Sequence, residues 1–154
     1  MSSIVVTGPP GTGTTLVAAA LAARLRARFI DGAELYPAGA RAKSAGDPWE
    51  LWLEALALSF SREDALVVAS GSLGRAQRDR IRHRVAGVVF VEIVASESDA
   101  ASVTPRRRWG RSRVQPPAPP VDPLVADEPG VRVADDADLG SVVDRIASLL
   151  TGVR

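Results

Sequence analysis

Ile4-Val5-Val6-Thr7-Gly8-Pro9-Pro10-Gly11-Thr12-Gly13-Thr14-Thr15 is the stretch on which the reading of the chain turns. Its first four residues are apolar or β-branched and stop at a glycine-rich turn, as a buried strand does. From Thr14 to Ala27 the residues are strong helix formers, mainly Ala, Leu and Arg. A strand that curls through glycines into a helix gathers backbone N–H groups around an anion. The helix N-terminus adds a partial positive charge. The spacing follows the phosphate-binding pattern G-x-x-x-x-G-K-[ST], with Gly8 and Gly13 as its glycines and Thr15 as the hydroxyl that would touch Mg²⁺. The lysine position is Thr14. That removes the charge that reaches the β- and γ-phosphates but leaves the cradle, at Gly8, Pro10, Gly11, Thr12, Gly13, Thr14 and Thr15. A glycine-rich turn with no ligand is the plainer alternative.

Outward from this loop, strands and helices alternate. Phe29-Ile30-Asp31-Gly32 is expected as a second strand ending in a polar loop. Asp47, Pro48 and Glu50 have the spacing of a capped helix start with a capping box. Trp49, Trp52, Leu53, Leu56 and Phe60 then share one helical face, which assigns the tryptophans to the core rather than to a base-stacking platform. Ala65 to Ala69 is a third strand. Leu73, Gln77, Ile81 and Val85 mark one side of the next helix, whose other side carries Arg75, Arg78, Arg80, Arg82 and Arg84. Val88 to Val94 is a fourth strand and Val131-Arg132-Val133 a short fifth. Leu139, Val142, Val143, Ile146, Leu149 and Leu150 repeat as one face of a last helix. The order implies an α/β domain spanning residues 1–154, three layers deep, with a five-stranded parallel sheet and right-handed crossovers.

With 154 residues and a 46% hydrophobic fraction, the chain has enough apolar material for one ordinary core. A net charge of +1 gives no overall pull toward nucleic acid or membrane. The absence of cysteine excludes disulfides, thiolate metal sites and cysteine nucleophiles, and the one histidine, His83, reads as a solvated helix residue. No apolar run approaches the ~20 residues of a membrane span. The N-terminal MSSIVVTG runs straight into strand and loop rather than into a signal peptide, so a cytoplasmic setting is expected.

Three phrases carry a family resemblance. Arg28-Phe29-Ile30-Asp31-Gly32-Ala33-Glu34-Leu35-Tyr36-Pro37 resembles the gluconokinase phrase F-[IL]-D-G-D-x-L-H-P. Val67 to Arg75, followed by Arg78-Asp79, is similar to V-[IV]-A-C-S-A-L-K-R-x-[YQ]-R-D. Pro48-Trp49 with Trp52-Leu53 is similar to the same family's P-W-L helix start. From residue 4 to about 95, and again in the last helix, the chain thus resembles the small P-loop carbohydrate kinases, gluconokinase above all, with shikimate and adenylate kinases as relatives. The resemblance implies the P-loop NTPase fold, ATP or another nucleoside triphosphate with Mg²⁺, and a metal-side role for Asp31 beside Thr15. It also exposes departures. Ala33 stands where the sugar-binding aspartate would be, Tyr36 replaces the histidine, and Gly74 replaces the lysine of the third-strand loop. Ser44-Ala45-Gly46-Asp47 takes the place of an aspartate–arginine segment. Fold positions are kept and polar site positions are not, as in a scaffold whose original reaction has relaxed.

Residues 101–130 are expected as an Arg/Pro-rich remnant lid or flexible loop, holding Arg106, Arg107, Arg108, Arg111 and Arg113 around Trp109, then PPAPP. In the resembled kinases a lid arginine closes over the triphosphate, so Arg111 and Arg113 are candidate catalytic residues that partly replace the missing lysine. A protein partner held through residues 105–123 is another reading, a solvated basic loop a third, and nucleic acid a less favoured one. The expected function is nucleotide binding with weak or lost phosphotransferase activity. An active gluconate-type kinase and an Arg/Pro scaffold are the alternatives.

Overall fold

The computed structural model describes residues 2–9, 11–36, 47–95 and 122–152. Arg111, Arg113, Pro10 and most of the 101–130 segment lie outside them. Five strands, β1 (Ser2–Thr7), β2 (Arg28–Asp31), β3 (Ala65–Ala69), β4 (Val89–Ala95) and β5 (Gly130–Asp135), form one sheet in the order β2-β3-β1-β4-β5. Every pairing is parallel. Four helices cover it: α1 (Thr14–Leu25), α2 (Pro48–Arg62), α3 (Arg75–Arg84) and α4 (Leu139–Gly152).

Alternation along β1 divides the core. Ile4 and Val6 point to one face, where they meet Val17, Leu21, Val142 and Ile146 of α1 and α4. Val5 points to the other, where it meets Trp52, Leu53 and Leu56 of α2 and Ile81 of α3. Strands buried on both faces carry unbroken apolar runs, which is why β1, β3 and β4 were legible. Trp52 is buried as expected, with Trp49 stacked on it at 4.9 Å between ring centroids. His83 is exposed, its Nδ1 2.8 Å from the Asp79 carbonyl.

Several boundaries differ for physical reasons. Helix α1 stops at Leu25 rather than Ala27 because Arg26 turns left-handed (φ 55°), and the Ala27 N–H returns to the Ala22 carbonyl at 2.8 Å. Gly32 leaves β2 and opens a short 3-10 turn, Gly32–Leu35. Strand β5 runs to six residues because β4 pairs with it from Gly130 to Asp135. Asp47 caps α2 as expected, its Oδ1 accepting from the Trp49 N–H at 3.0 Å. Glu50 does not complete a capping box, being engaged by Arg80 and Arg84 of α3. Leu139 and Leu149 of α4 are each 43% exposed, while Ala147 takes a place in the core.

The arginine side of α3 departs most from the sequence expectation. Arg78 is 1% exposed and forms a bidentate pair with the also buried Glu128, Nε and Nη2 each donating at 2.8 Å. Its Nη1 donates to the carbonyls of Leu73 (2.7 Å) and Asp122 (2.8 Å). Glu128 also accepts from Arg82 at 2.6 Å and from the Val125 N–H at 3.0 Å. Arg78 lies three residues before Ile81 and seven before Val85, on the helix's inward face. These bonds fasten the stretch before β5 to α3.

Burial pushes the Glu128 carboxyl up, but hydrogen bonds from Arg78, Val125 and Arg82 outweigh it and hold it at about 2. A depressed carboxylate contributes stability that is whole above its unfolded value of 4.5 and is lost as pH falls toward about 2. The loss attributable to this group is roughly 3 kcal/mol. Urea unfolding at pH 6 and pH 3 should show a clearly smaller acid-induced drop for Glu128→Gln than for the unaltered chain. Equal drops would remove Glu128 as the acid-sensitive group.

Candidate functional site

The sheet order reverses direction beside β1: the chain leaves β1 for β2 on one side and leaves β3 for β4 on the other. At such a switch point the loops part and open a crevice beyond the carboxyl ends of the strands. A cleft of about 650 Å³ lies there, between the loop after β1, the turn after β2 and the turn after β3. Gly8, Gly11, Gly13, Thr14 and Thr15 line one part, and Asp31, Gly32, Ala33 and Tyr36 another, with Ser70 and Gly71 between. The Thr7 hydroxyl donates to the Gly71 carbonyl at 2.7 Å, tying the β3 turn to β1.

Gly11 and Gly13 have φ of +88° and +67°, the left-handed region where a side chain is strained. A Cβ on Gly13 would meet no atom of the described residues within 4 Å, so this glycine serves the backbone turn into α1. The first helical bond of α1 runs from the Val17 N–H to the Gly13 carbonyl at 2.9 Å. The N–H groups of Thr14, Thr15 and Leu16 therefore have no carbonyl within the helix. They begin a helix whose positive end faces the cleft.

A chain of hydroxyls holds the loop in shape. Thr12, 3% exposed, donates its Oγ1 proton to the Pro9 carbonyl at 2.7 Å. With that proton committed, the 3.0 Å contact between the Thr12 and Thr14 Oγ1 atoms has Thr14 as donor. A Cβ on Gly8 would come within 3.0 Å of both hydroxyls. Thr14 therefore packs back onto the loop instead of projecting a charge outward. Thr15, by contrast, is exposed in the cleft.

Asp31 lines the same cleft as Thr15. Its Oδ1 accepts from the Ala33 N–H at 3.0 Å, which caps the 3-10 turn. Gly32 sits where a Cβ would be 2.3 Å from the Ala69 carbonyl oxygen, and its own carbonyl accepts from Trp52 Nε1 at 2.7 Å. Among the described residues that line the cleft, none is lysine, arginine or histidine. Gly74 lies at the start of α3, its N–H donating to the Gln77 side chain at 3.0 Å. Sequence reasoning did not single out Leu16, 67% exposed at the cleft, nor the stacking of Tyr36 on Trp52. Tyr36 was visible only as a departure at the family's histidine. Among the described residues no group of three or more His, Asp or Glu could hold a metal ion by itself, and no helix is long and apolar enough to cross a membrane.

Several solved structures similar to this chain are kinases. A gluconokinase from Sinorhizobium meliloti 1021 superposes with a TM-score of 0.74 at 26% identity, over 98% of this chain and 92% of that one. A sugar kinase from Janibacter sp. HTCC2649 gives 0.69 at 17% identity, over 99% and 95%. Shikimate kinase from Aquifex aeolicus gives 0.55 at 16% identity, over 97% and 96%. No protein-family model matches the sequence, and no curated protein does. The chain has the α/β fold of the small P-loop kinases. Within that class it is gluconokinase-like.

The hydroxyl chain gives a direct test of the loop. Thr12→Val keeps the shape but leaves the Pro9 carbonyl and the Thr14 hydroxyl without their partner, at a cost of about 1–3 kcal/mol. Thermal melting should show the loss, whereas Thr15→Val, which removes an exposed hydroxyl, should leave the melting temperature nearly unchanged. A Thr12→Val protein as stable as the parent would contradict the bonding described.

Proposed function

We propose that this protein binds a nucleoside triphosphate, ATP or a near equivalent, and that its phosphotransferase activity is weak or lost. The observation that carries the reading is the contrast within one cleft. The left-handed glycines and the helix N-terminus are built as in a phosphate cradle, yet no basic side chain lines it among the described residues. Such a cradle fits phosphate oxygens, which accept from backbone N–H groups. Mg²⁺ would arrive with the triphosphate and meet the Thr15 hydroxyl and the Asp31 carboxylate. In the proposed complex Arg111 and Arg113 supply the cation that the loop lacks.

Phosphoryl transfer depends mainly on positioning and on charge placed against the transition state. Removing one well-placed donor costs roughly 3–4 kcal/mol, or ~10²–10³ in rate. Here Thr14 and Gly74 stand at two family lysine positions, and Ala33 offers a methyl group where the resembled kinases hold the sugar. Such losses compound, though not strictly additively.

Calorimetry with Mg²⁺-ATP, GTP, ADP and inorganic phosphate should detect binding of at least one of them. Gly13→Val should abolish it, because a β-branched residue cannot hold a φ of +67°. Thr14→Lys should tighten ATP binding without conferring efficient gluconate phosphorylation. No binding by any of these ligands at millimolar concentration sinks the nucleotide reading. Gluconate turnover by the unaltered chain near the ~10 s⁻¹ typical of enzymes would show a rewired site instead of a relaxed one.

A further inference from the structure

We infer that the part of the cleft formed after β2 takes a second ligand that is neutral and carries a flat ring, a nucleoside or a comparable aromatic compound, stacked on Tyr36. The inference rests on the cleft being a ligand site and adds the chemistry of its second half.

Tyr36 is 47% exposed, yet its ring is held in place from behind. It stacks on Trp52 with centroids 5.9 Å apart and planes 28° from parallel. Trp52 is 2% exposed, fixed by its Nε1 bond to the Gly32 carbonyl, and backed in turn by Trp49. Tyr36 is thus the outer ring of a three-ring stack, and it lines the cleft. A surface set in advance loses little entropy when a ring settles on it. Among the described lining residues, the neighbouring Gly32, Ala33 and Gly71 are small.

Charge points the same way. Asp31 lines this part of the cleft, and no described lining residue offsets it. Without nucleotide and Mg²⁺ bound, a sugar acid would bring its carboxylate beside Asp31 with no cation among the described lining residues to hold it, so like charges would meet at close range. The Tyr36 phenol is neutral at physiological pH, and burial first and the nearby Asp47 carboxylate second raise its pKa further. Aromatic stacking is tolerant of ring identity, so the recognised class is broad.

The test is a titration of adenosine, gluconate and sorbitol, followed by tryptophan fluorescence and calorimetry. It uses the unaltered chain, Tyr36→Phe and Tyr36→Leu, the last keeping an apolar contact on Trp52 without the aromatic face. Adenosine should bind the first two alike and Tyr36→Leu roughly ten-fold or more weakly, the scale of one lost stacking contact. Gluconate and sorbitol should bind more weakly than adenosine. No adenosine binding, unchanged binding by Tyr36→Leu, or a preference for gluconate overturns the inference. Inorganic tripolyphosphate, which has no ring, separates this from the nucleotide reading. If it binds and adenosine does not, the ring site is wrong and the phosphate cradle stands. If adenosine binds through Tyr36 and tripolyphosphate does not bind, the ring site stands and the cradle is wrong.

Discussion

Strand β1 is hydrogen-bonded to β3 on one side and to β4 on the other, and Val5 and Val6 are fully buried on opposite faces. A strand held in this way cannot shift by one residue without turning its whole apolar set to the wrong layer. Its end is therefore fixed, and with it the position where Gly8 begins the loop. The close approach of Gly8 to the Ile93 carbonyl oxygen, which a Cβ would meet at 2.9 Å, reflects the same crowding at the head of β1. Helix α1, the β2 turn and the β3 turn all converge on this end, so the cleft is a consequence of sheet order as much as of any one side chain.

The second constraint is electrostatic. Burying Arg78 and Glu128 carries a desolvation cost that only full pairing offsets. The pair has full pairing: both Glu128 oxygens accept, and Arg78 also reaches the backbone carbonyls of Leu73, Asp122 and Pro123. Arg75 adds a bidentate pair with Asp127 at 3.2 and 3.0 Å, and its N–H donates to Asp122 at 3.2 Å. The stretch from 122 to 129 is thereby bound to the start of α3, and β5 follows in register with β4. Glu92, 6% exposed on β4, contributes by accepting from the Leu124 N–H and from Arg132.

Much of this was readable in the sequence because it depends on local pattern. Apolar runs gave β1, β3 and β4, helical periodicity gave α2 and α4, and the glycine spacing placed the loop. Tertiary partners decided the remainder. Arg78 looks like one more arginine on a polar helix until Glu128, fifty positions away, is seen beside it. The fifth strand is longer than its Val-Arg-Val core because β4 supplies the pairing. Thr14 could be recognised as a missing lysine, but its bond to Thr12 could not, since that bond depends on the loop's left-handed turns. The three-ring stack needed the 3-10 turn that carries Tyr36 over Trp52.

The central claim is that backbone geometry preserves a phosphate site from which the lysine has gone. Amide shifts in a ¹⁵N-labelled sample titrated with Mg²⁺-ATP address it residue by residue. The account predicts that the largest changes fall on the N–H groups of Gly11, Gly13, Thr14 and Thr15. Unmoved loop amides at millimolar ATP, or changes clustered on another face of the sheet, would contradict it.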